Sequence, residues 1–152
     1  ERAAEQLSAH PAFERDGDAY VATTTAVEAT VRTADGEMAV TLRVPTIDAV
    51  VAGETVAAVV REGWFETFER RLEDVGGVTR GEPVPPTARL DEAAGEVVVE
   101  TALPADRPGV AEDAKAVADY VEGTFVEGLI PGYAYREPAS SLLERARSAG
   151  ER

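Results

Sequence analysis

The feature that most constrains the fold of this chain is a pair of alternating segments that meet at Asp35-Gly36. Asp-Gly between two alternating apolar runs is typical of a tight β-hairpin, because both turn residues tolerate positive φ. The return strand ends at Pro45 and directs four apolar side chains to one face: Met38, Val40, Leu42 and Val44. The outgoing strand is predicted to run unbroken from Ala19 to Thr33. Its side chains on one face are Val21, Thr23, Thr25, Val27, Ala29 and Val31, with Tyr20 on the other face.

Helical and alternating segments on either side of this hairpin complete the predicted order of elements. Apolar residues at helical spacing indicate helices at four places: residues 2–10, Thr46 or Asp48 to Asp74, Pro108 to Glu127, and Ser140 to Ser148. A second hairpin is predicted to pair Thr87–Asp91 with Glu96–Leu103. Hairpins separated by helices indicate an α+β fold, an antiparallel sheet built from two hairpins with helices packed on one face. The predicted order is α-β-β-α-β-β-α-α, in a single domain over residues 1–152.

The residue types that are missing exclude several classes of protein. The chain has no cysteine, so it has no disulfide framework, thiolate metal site or cysteine nucleophile. Its apolar runs are shorter than the roughly 20 residues that cross a membrane. Both observations favour a cytoplasmic protein. Because the chain begins at Glu1 without a methionine, we expect that a leader was trimmed.

The charge of the chain indicates a salt-rich environment. There are 29 acidic residues against 15 basic ones, and among the basic residues only Lys115 is a lysine. At 1 M ionic strength the Debye length is about 3 Å, which screens the repulsion among so many carboxylates. A GC-rich genome would explain the arginines and small apolar residues, but it would not explain the acid excess. A net charge of −14 also argues against nucleic acid and anionic membranes as partners.

The supply of catalytic side chains is poor. His10 is the single histidine, and it lies beside Pro11 at a predicted helix end, where a histidine usually has a structural role. Phosphate loops, dinucleotide-binding fingerprints and nucleophile elbows are absent from the sequence. The many carboxylates are best explained as solvated surface, since no pair stands out for acid–base chemistry. We therefore predict no catalytic residue, no metal ligand and no cofactor, and we favour a non-enzymatic protein over an enzyme.

One segment concentrates aromatic residues. It runs from Gly63 to Leu72 and holds the single tryptophan and two of the four phenylalanines. Trp64 and Phe68 lie on the apolar stripe of the predicted helix and are expected in the core, whereas Phe65 and Arg70 lie to the side and are candidate binding residues. The stripe has ten members: Val56, Val59, Val60, Gly63, Trp64, Thr67, Phe68, Arg71, Leu72 and Val75. Arg70 is also expected to form ion pairs with Glu66 and Glu69.

This segment and the preceding strand end carry a resemblance. Val44-Pro45-Thr46 and the later Gly-Trp-Phe-Glu-Thr-Phe-Glu-Arg-Arg run, residues 63–71, resemble a family of uncharacterised haloarchaeal proteins. The resemblance extends over most of the chain, although only this stretch is distinctive. It implies a halophilic source and a domain of unknown function, and it carries over no catalytic residue.

A second segment joins tyrosine to arginine in a predicted loop between helices. Tyr133, Tyr135 and Arg136 are of the residue types enriched at binding hot spots, and tyrosines equally suit a loop that seals a core. The leading hypothesis is a non-enzymatic protein-binding or adaptor protein, whose partner is another protein or a second copy in a homodimer. The alternative is a small-molecule-binding protein or enzyme with a pocket between sheet and helices that uses carboxylates, Arg71 or Tyr135.

Overall fold

A computed structural model describes residues 2–150 of the chain, and it contains both helices and an antiparallel sheet, so the α+β prediction is confirmed. The described helices are α1 (Arg2–Ala9), α2 (Ile47–Val50), α3 (Ala58–Leu72), α4 (Val110–Glu127) and α5 (Ala139–Gly150), with a 3-10 turn at Val75–Gly77. None of them is both long and apolar enough to cross a membrane.

The described strands are β1 (Phe13–Asp16), β2 (Ala19–Ala22), β3 (Glu28–Ala34), β4 (Glu37–Pro45), β5 (Val51–Ala52), β6 (Thr87–Asp91), β7 (Glu96–Pro104) and β8 (Ala134–Tyr135). Six of them form the main sheet in the order β1-β2-β3-β4-β7-β6, and every neighbouring pair is antiparallel. The two short strands β5 and β8 pair with each other in a separate sheet. The sheet is thus larger than the four-stranded arrangement that two hairpins predicted.

Both predicted hairpins are confirmed. In the first, β3 and β4 pair from Glu28 with Arg43 to Ala34 with Glu37, around Asp35-Gly36. Asp35 and Gly36 both have positive φ, at 49° and 77°, as this turn requires. The four apolar side chains predicted for one face of the return strand are all buried: Met38, Val40, Leu42 and Val44.

The predicted unbroken strand from Ala19 to Thr33 is wrong. The chain leaves the sheet after Ala22 and returns at Glu28, so that Tyr20 lies directly opposite Val31 across the β2–β3 pair. Directly paired residues point to the same face of a sheet, and Tyr20 is therefore buried rather than opposite Val31. The connecting loop is held by a distant residue, since the Glu122 carboxylate on α4 accepts hydrogen bonds from the amides of Ala26 and Val27, at 2.6 and 3.1 Å.

The predicted long helix from residue 46 to Asp74 is also wrong in its first third. Helix α2 is a single turn, and the chain then becomes extended at Val51 and Ala52 to pair with β8. β-branched residues followed by Gly53, whose φ is +81°, favour this break over helix continuation. Helix α3 begins only at Ala58, and Val59, which was predicted on the buried stripe, is 73% exposed.

Helix α4 organises the helical layer over the sheet. Its apolar side packs against β4 and β7, and it also contacts α1, α3 and α5. Gly109 precedes α4 and has no side chain with which to cap the helix. Gln6 on α1 supplies the acceptor, since its Oε1 receives hydrogen bonds from the amides of Gly109 and Val110, both at 3.1 Å. The buried side chains of α4 include Val110, Ala114, Val117, Val121 and Phe125.

Candidate functional site

The aromatic residues of α3 form a stacked pair at the edge of the core. Trp64 and Phe68 lie one helical turn apart, and their rings stack with centroids 5.5 Å apart and planes 14° from parallel. They are 5% and 2% exposed, which agrees with their predicted place in the core. One side of this stack nevertheless faces a surface depression, so these core residues also contribute to a candidate site.

This depression, which we call the Trp64 cleft, lies between α3 and the segment that follows α4. Its volume is about 310 Å³, and it is open to solvent. The stacked rings contribute from α3, while Leu129, Ile130 and Pro131 contribute apolar surface from the other side. Its lining residues are Gly63, Trp64, Thr67, Phe68, Arg71, Thr124, Glu127, Gly128, Leu129, Ile130 and Pro131.

A hydrogen-bond donor in this cleft has no acceptor. Trp64 Nε1 is buried and unpaired, one of two such side-chain atoms among the described residues, the other being Arg107 Nε. The indole nitrogen lies against Gly128, where a Cβ atom would be only 3.1 Å away. Because more than nine in ten buried polar groups in proteins are paired, an orphan indole N–H calls for an explanation.

Two unpaired charges stand among the lining residues. The side chains of Arg71 and Glu127 are exposed, and neither makes a hydrogen bond or an ion pair within 4 Å among residues 2–150. The backbone of Arg71 is fixed, however, because the Tyr120 hydroxyl donates a hydrogen bond to its carbonyl at 2.6 Å. Burial raises the pKa of Tyr120 above its already high ordinary value, so the hydroxyl remains a donor well above neutral pH. The guanidinium therefore extends from an anchored point.

Tyr135 holds the side of the cleft that lies opposite α3, through hydrogen bonds to Ile130. Its hydroxyl accepts a hydrogen bond from the Ile130 amide at 2.6 Å and donates one to the Ile130 carbonyl at 2.7 Å. Burial raises the pKa of Tyr135 as well. Tyr135 thus closes the 130–135 loop, and Tyr133 packs edge-on against it with ring centroids 6.4 Å apart.

The five residues predicted to bind do not form one site. Phe65 is half-buried against the core, and Arg70 is exposed and donates to Thr67 Oγ1 at 3.4 Å. The ion pairs predicted for Arg70 with Glu66 and Glu69 do not form among the described residues. Tyr133 and Tyr135 line a separate groove along α5, and Arg136 is exposed with its amide bonded to the Val50 carbonyl at 2.7 Å.

The structure instead connects the two aromatic segments that the sequence kept apart. Thr67, the acceptor for Arg70, lines the Trp64 cleft, and Ile130, the partner of Tyr135, lines it from the opposite side. Sequence reasoning missed Gly128 and Glu127 as lining residues. The available signal was an apolar Leu-Ile-Pro run placed directly after a helix, where a solvent-exposed turn would be polar.

Within residues 2–150, no group of three or more His, Asp or Glu side chains is placed to hold a metal ion. His10 has a local structural arrangement instead. Its Nδ1 accepts a hydrogen bond from the Ala12 amide at 3.1 Å, and its Nε2 lies 2.6 Å from a carboxylate oxygen of Glu112. Since Nδ1 is an acceptor, Nε2 carries the proton and donates to Glu112.

These features define a class of protein, an α+β protein in which helices cover an antiparallel sheet and an aromatic cleft lies at the edge of the helical layer. The chain belongs to a family of unknown function, DUF5813, whose model matches residues 8–145. The predicted membership of an uncharacterised family is therefore confirmed. No curated protein has significant sequence similarity to the chain.

Proposed function

We propose that this chain is a protein-binding domain, and that the Trp64 cleft receives an apolar side chain of its partner. The observation that carries this proposal is the convergence of a stacked Trp64–Phe68 pair, an orphan indole N–H and the unpaired Arg71 in one open cleft. Tryptophan and arginine are the residue types that dominate binding hot spots. Anchoring of the cleft walls by Tyr120 and Tyr135 reduces the ordering cost of binding.

The shape and chemistry of the cleft favour a protein partner over a metabolite or substrate. Its volume of about 310 Å³ is at the lower end of the range for small-molecule sites, and it is open rather than enclosing. Glu127 is the single carboxylate among its lining residues, which leaves no second acid for paired acid–base work. The alternative, a small-molecule-binding protein or enzyme, would need a pocket that encloses its ligand more fully than this open cleft.

Site-directed photocrosslinking in cell extract tests the proposal. A photoreactive amino acid is placed at Gly63, an exposed lining residue where an added Cβ meets nothing within 4 Å, and at Arg89 as a control, an exposed arginine on β6 that does not line the cleft. We expect one protein to be crosslinked in near-stoichiometric yield from position 63 and not from position 89. Unlabelled wild-type protein should compete for that crosslink. Equal labelling from both positions, or crosslinks that wild-type protein does not compete for, would contradict a specific partner at the cleft.

We further propose that the protein works in the salt-rich cytoplasm of a halophilic archaeon. The acid excess and the near absence of lysine support this habitat, and the lack of cysteine suits a reducing compartment. Helix α3 adds a structural reason, since Glu62, Glu66 and Glu69 on the helix and Glu73 at its C-cap are all exposed and follow helical spacing. Like charges at such spacing destabilise a helix unless salt screens them.

The measurement for this second proposal is the thermal unfolding midpoint across KCl concentrations up to the molar range. We expect the midpoint to rise with KCl, and the rise to be smaller in the double variant Glu66→Gln/Glu69→Gln. A midpoint that is constant or falls with KCl would refute the halophilic assignment without bearing on the cleft.

A further inference from the structure

We propose that the Trp64 cleft recognises the C-terminal residue of its partner, an apolar residue whose side chain enters the cleft and whose α-carboxylate pairs with Arg71. This inference rests on the protein-binding function proposed above, and it specifies the chemistry of the partner segment. It is carried by three properties of the cleft, namely its apolar surface, its unpaired guanidinium and its unpaired indole donor.

The guanidinium of Arg71 is available to bind an anion. The chain carries 29 acidic residues against 15 basic ones, yet none of them forms an ion pair with Arg71 among the described residues. Arginine binds carboxylates through two parallel hydrogen bonds, a geometry that lysine cannot reproduce. An arginine without a partner at the rim of an apolar cleft is therefore suited to a ligand that has a carboxylate beside an apolar group.

Glu127 limits how many acids the ligand can have. It lines the same cleft, and its carboxylate is more than 4 Å from the Arg71 guanidinium, since the two form no ion pair. A second carboxylate on the ligand would be repelled by the negative charge of Glu127. The cleft therefore favours a single acid, held on the Arg71 side.

The unpaired Trp64 N–H calls for a hydrogen-bond acceptor. Gly128 has no side chain beside Nε1, and a Cβ there would be 3.1 Å away, so any other residue would displace the indole by a few tenths of an ångström. The peptide carbonyl that precedes a terminal residue is an acceptor close to both the side chain and the carboxylate. Because Nε1 is buried in the free protein, this carbonyl can reach it only if residues 128–131 shift, and the cost of the unpaired donor would then be relieved.

A chain terminus fits the cleft better than an internal acidic residue. In a terminal apolar residue the side chain and the carboxylate belong to one residue, and the carbonyl of the preceding residue is bonded directly to its amide nitrogen, so all three groups lie close together. An internal Asp or Glu would bring its carboxylate from a neighbouring residue, and both flanking chain segments would have to leave the cleft past Arg71 and Glu127.

Fluorescence titration of Trp64, the single tryptophan, tests this inference directly. The probes are three N-acetylated tetrapeptides: Gly-Gly-Ala-Leu with a free C-terminus, the same peptide amidated, and amidated Gly-Leu-Asp-Gly, whose acid is internal. We expect the free carboxylate to bind about fivefold more tightly than either amidated peptide, the strength of one well-formed exposed ion pair. That preference should disappear in Arg71→Gln and persist in Arg89→Gln, with far-UV circular dichroism confirming that both variants fold.

Each outcome decides between the two proposals. Equal affinity for all three peptides would overturn recognition of a terminus and leave the protein-binding cleft in place. Tighter binding of the internal-acid peptide would show that the carboxylate belongs to a side chain and would also overturn it. Absence of binding by every peptide, together with a specific crosslink from position 63, would again reject the terminus alone. Absence of both binding and crosslink would reject the cleft as a site altogether.

Discussion

The hydroxyl of Tyr135 makes two hydrogen bonds to the backbone of Ile130, accepting from its amide at 2.6 Å and donating to its carbonyl at 2.7 Å. One side chain thereby satisfies both polar groups of a residue that lies outside any helix or strand. Because Ile130 forms a wall of the Trp64 cleft, this pair couples the tyrosine-rich loop to the aromatic helix α3.

Removing the Tyr135 hydroxyl should therefore loosen the cleft. We expect Tyr135→Phe to lower the free energy of unfolding by about 1–2 kcal/mol, because the Ile130 amide and carbonyl lose their partner. Urea unfolding followed by Trp64 fluorescence measures this change. Tyr133→Phe is the matched control, since the Tyr133 hydroxyl makes no hydrogen bond among residues 2–150, and it should change stability by less than about 0.5 kcal/mol. Equal changes in the free energy of unfolding for the two variants would show that the hydrogen bonds between Tyr135 and Ile130 do not stabilise the protein.

A methyl group at Gly128 should disturb the indole of Trp64. The added Cβ would be 3.1 Å from Nε1, so the ring must shift by a few tenths of an ångström, and we expect a loss of about 1–3 kcal/mol in stability with altered tryptophan emission. Gly123→Ala is the control, because its Cβ meets nothing within 4 Å and it lies inside α4. That variant should gain about 0.5–1 kcal/mol from helix propensity. Changes of the same sign in both variants would contradict the proposed contact.

Asp113 should be essential for holding the loop before β6. It is 4% exposed, and its carboxylate accepts hydrogen bonds from the amides of Arg80 and Gly81, both at 2.9 Å. We expect Asp113→Ala to cost about 2–4 kcal/mol and to accelerate amide hydrogen exchange at residues 80 and 81. Asp119→Ala, which removes an exposed helix pair with Lys115, should cost less than about 0.5 kcal/mol. Unchanged exchange at residues 80 and 81 would show that the loop is held by other contacts.

The start of α5 should contribute a pH-dependent component of stability. Hydrogen bonds from Ser141 and Ser140 lower the pKa of Glu137, with Ser141 Oγ at 2.6 Å from the carboxylate. A lowered folded-state pKa means that this stabilisation is complete above the ordinary glutamate pKa, about 4.3, and is lost as the pH falls through the lower folded value. Glu137→Gln should therefore be less stable than wild type at pH 7, and the difference should vanish in acid.

The control for this pH dependence is the variant Glu144→Gln. Glu144 is an exposed glutamate within α5. The stability of this variant should follow the wild-type curve at every pH, measured as urea midpoints between neutral pH and pH 3. A constant difference between Glu137→Gln and wild type across that range would show that the carboxylate charge at Glu137 makes no contribution.

Much of the fold could be predicted because its signals are local. The hairpin at Asp35-Gly36 depends on two residues that adopt positive φ and on alternation in the strands beside them. The second hairpin and helix α4 also lie close to their predicted bounds, since each has a periodic apolar pattern along its whole length. Family membership likewise depends on sequence alone.

The candidate site could be predicted only in part. The density of aromatic residues identified α3 and the tyrosine loop, but Trp64 was interpreted as core alone and Tyr135 as a separate patch. A buried tryptophan and a cleft-lining tryptophan have the same place in a helical stripe. What separates them is whether the segment that covers the ring leaves a depression beside it, and residues 128–131 bury Trp64 to 5% exposure while forming one side of the cleft.

What the sequence by itself determined is therefore the set of elements whose side chains repeat at a fixed period, together with the acidic, cysteine-free composition. The tertiary structure alone decided where the predicted elements are interrupted and which distant segments contact each other. Glu122 holds the loop that interrupts the predicted long strand from 96 residues away, and β8 pairs with Val51 and Ala52 where a helix was expected. Local propensities at such places are nearly balanced. A few hydrogen bonds from distant residues, each worth about 1 kcal/mol, then determine the path of the chain.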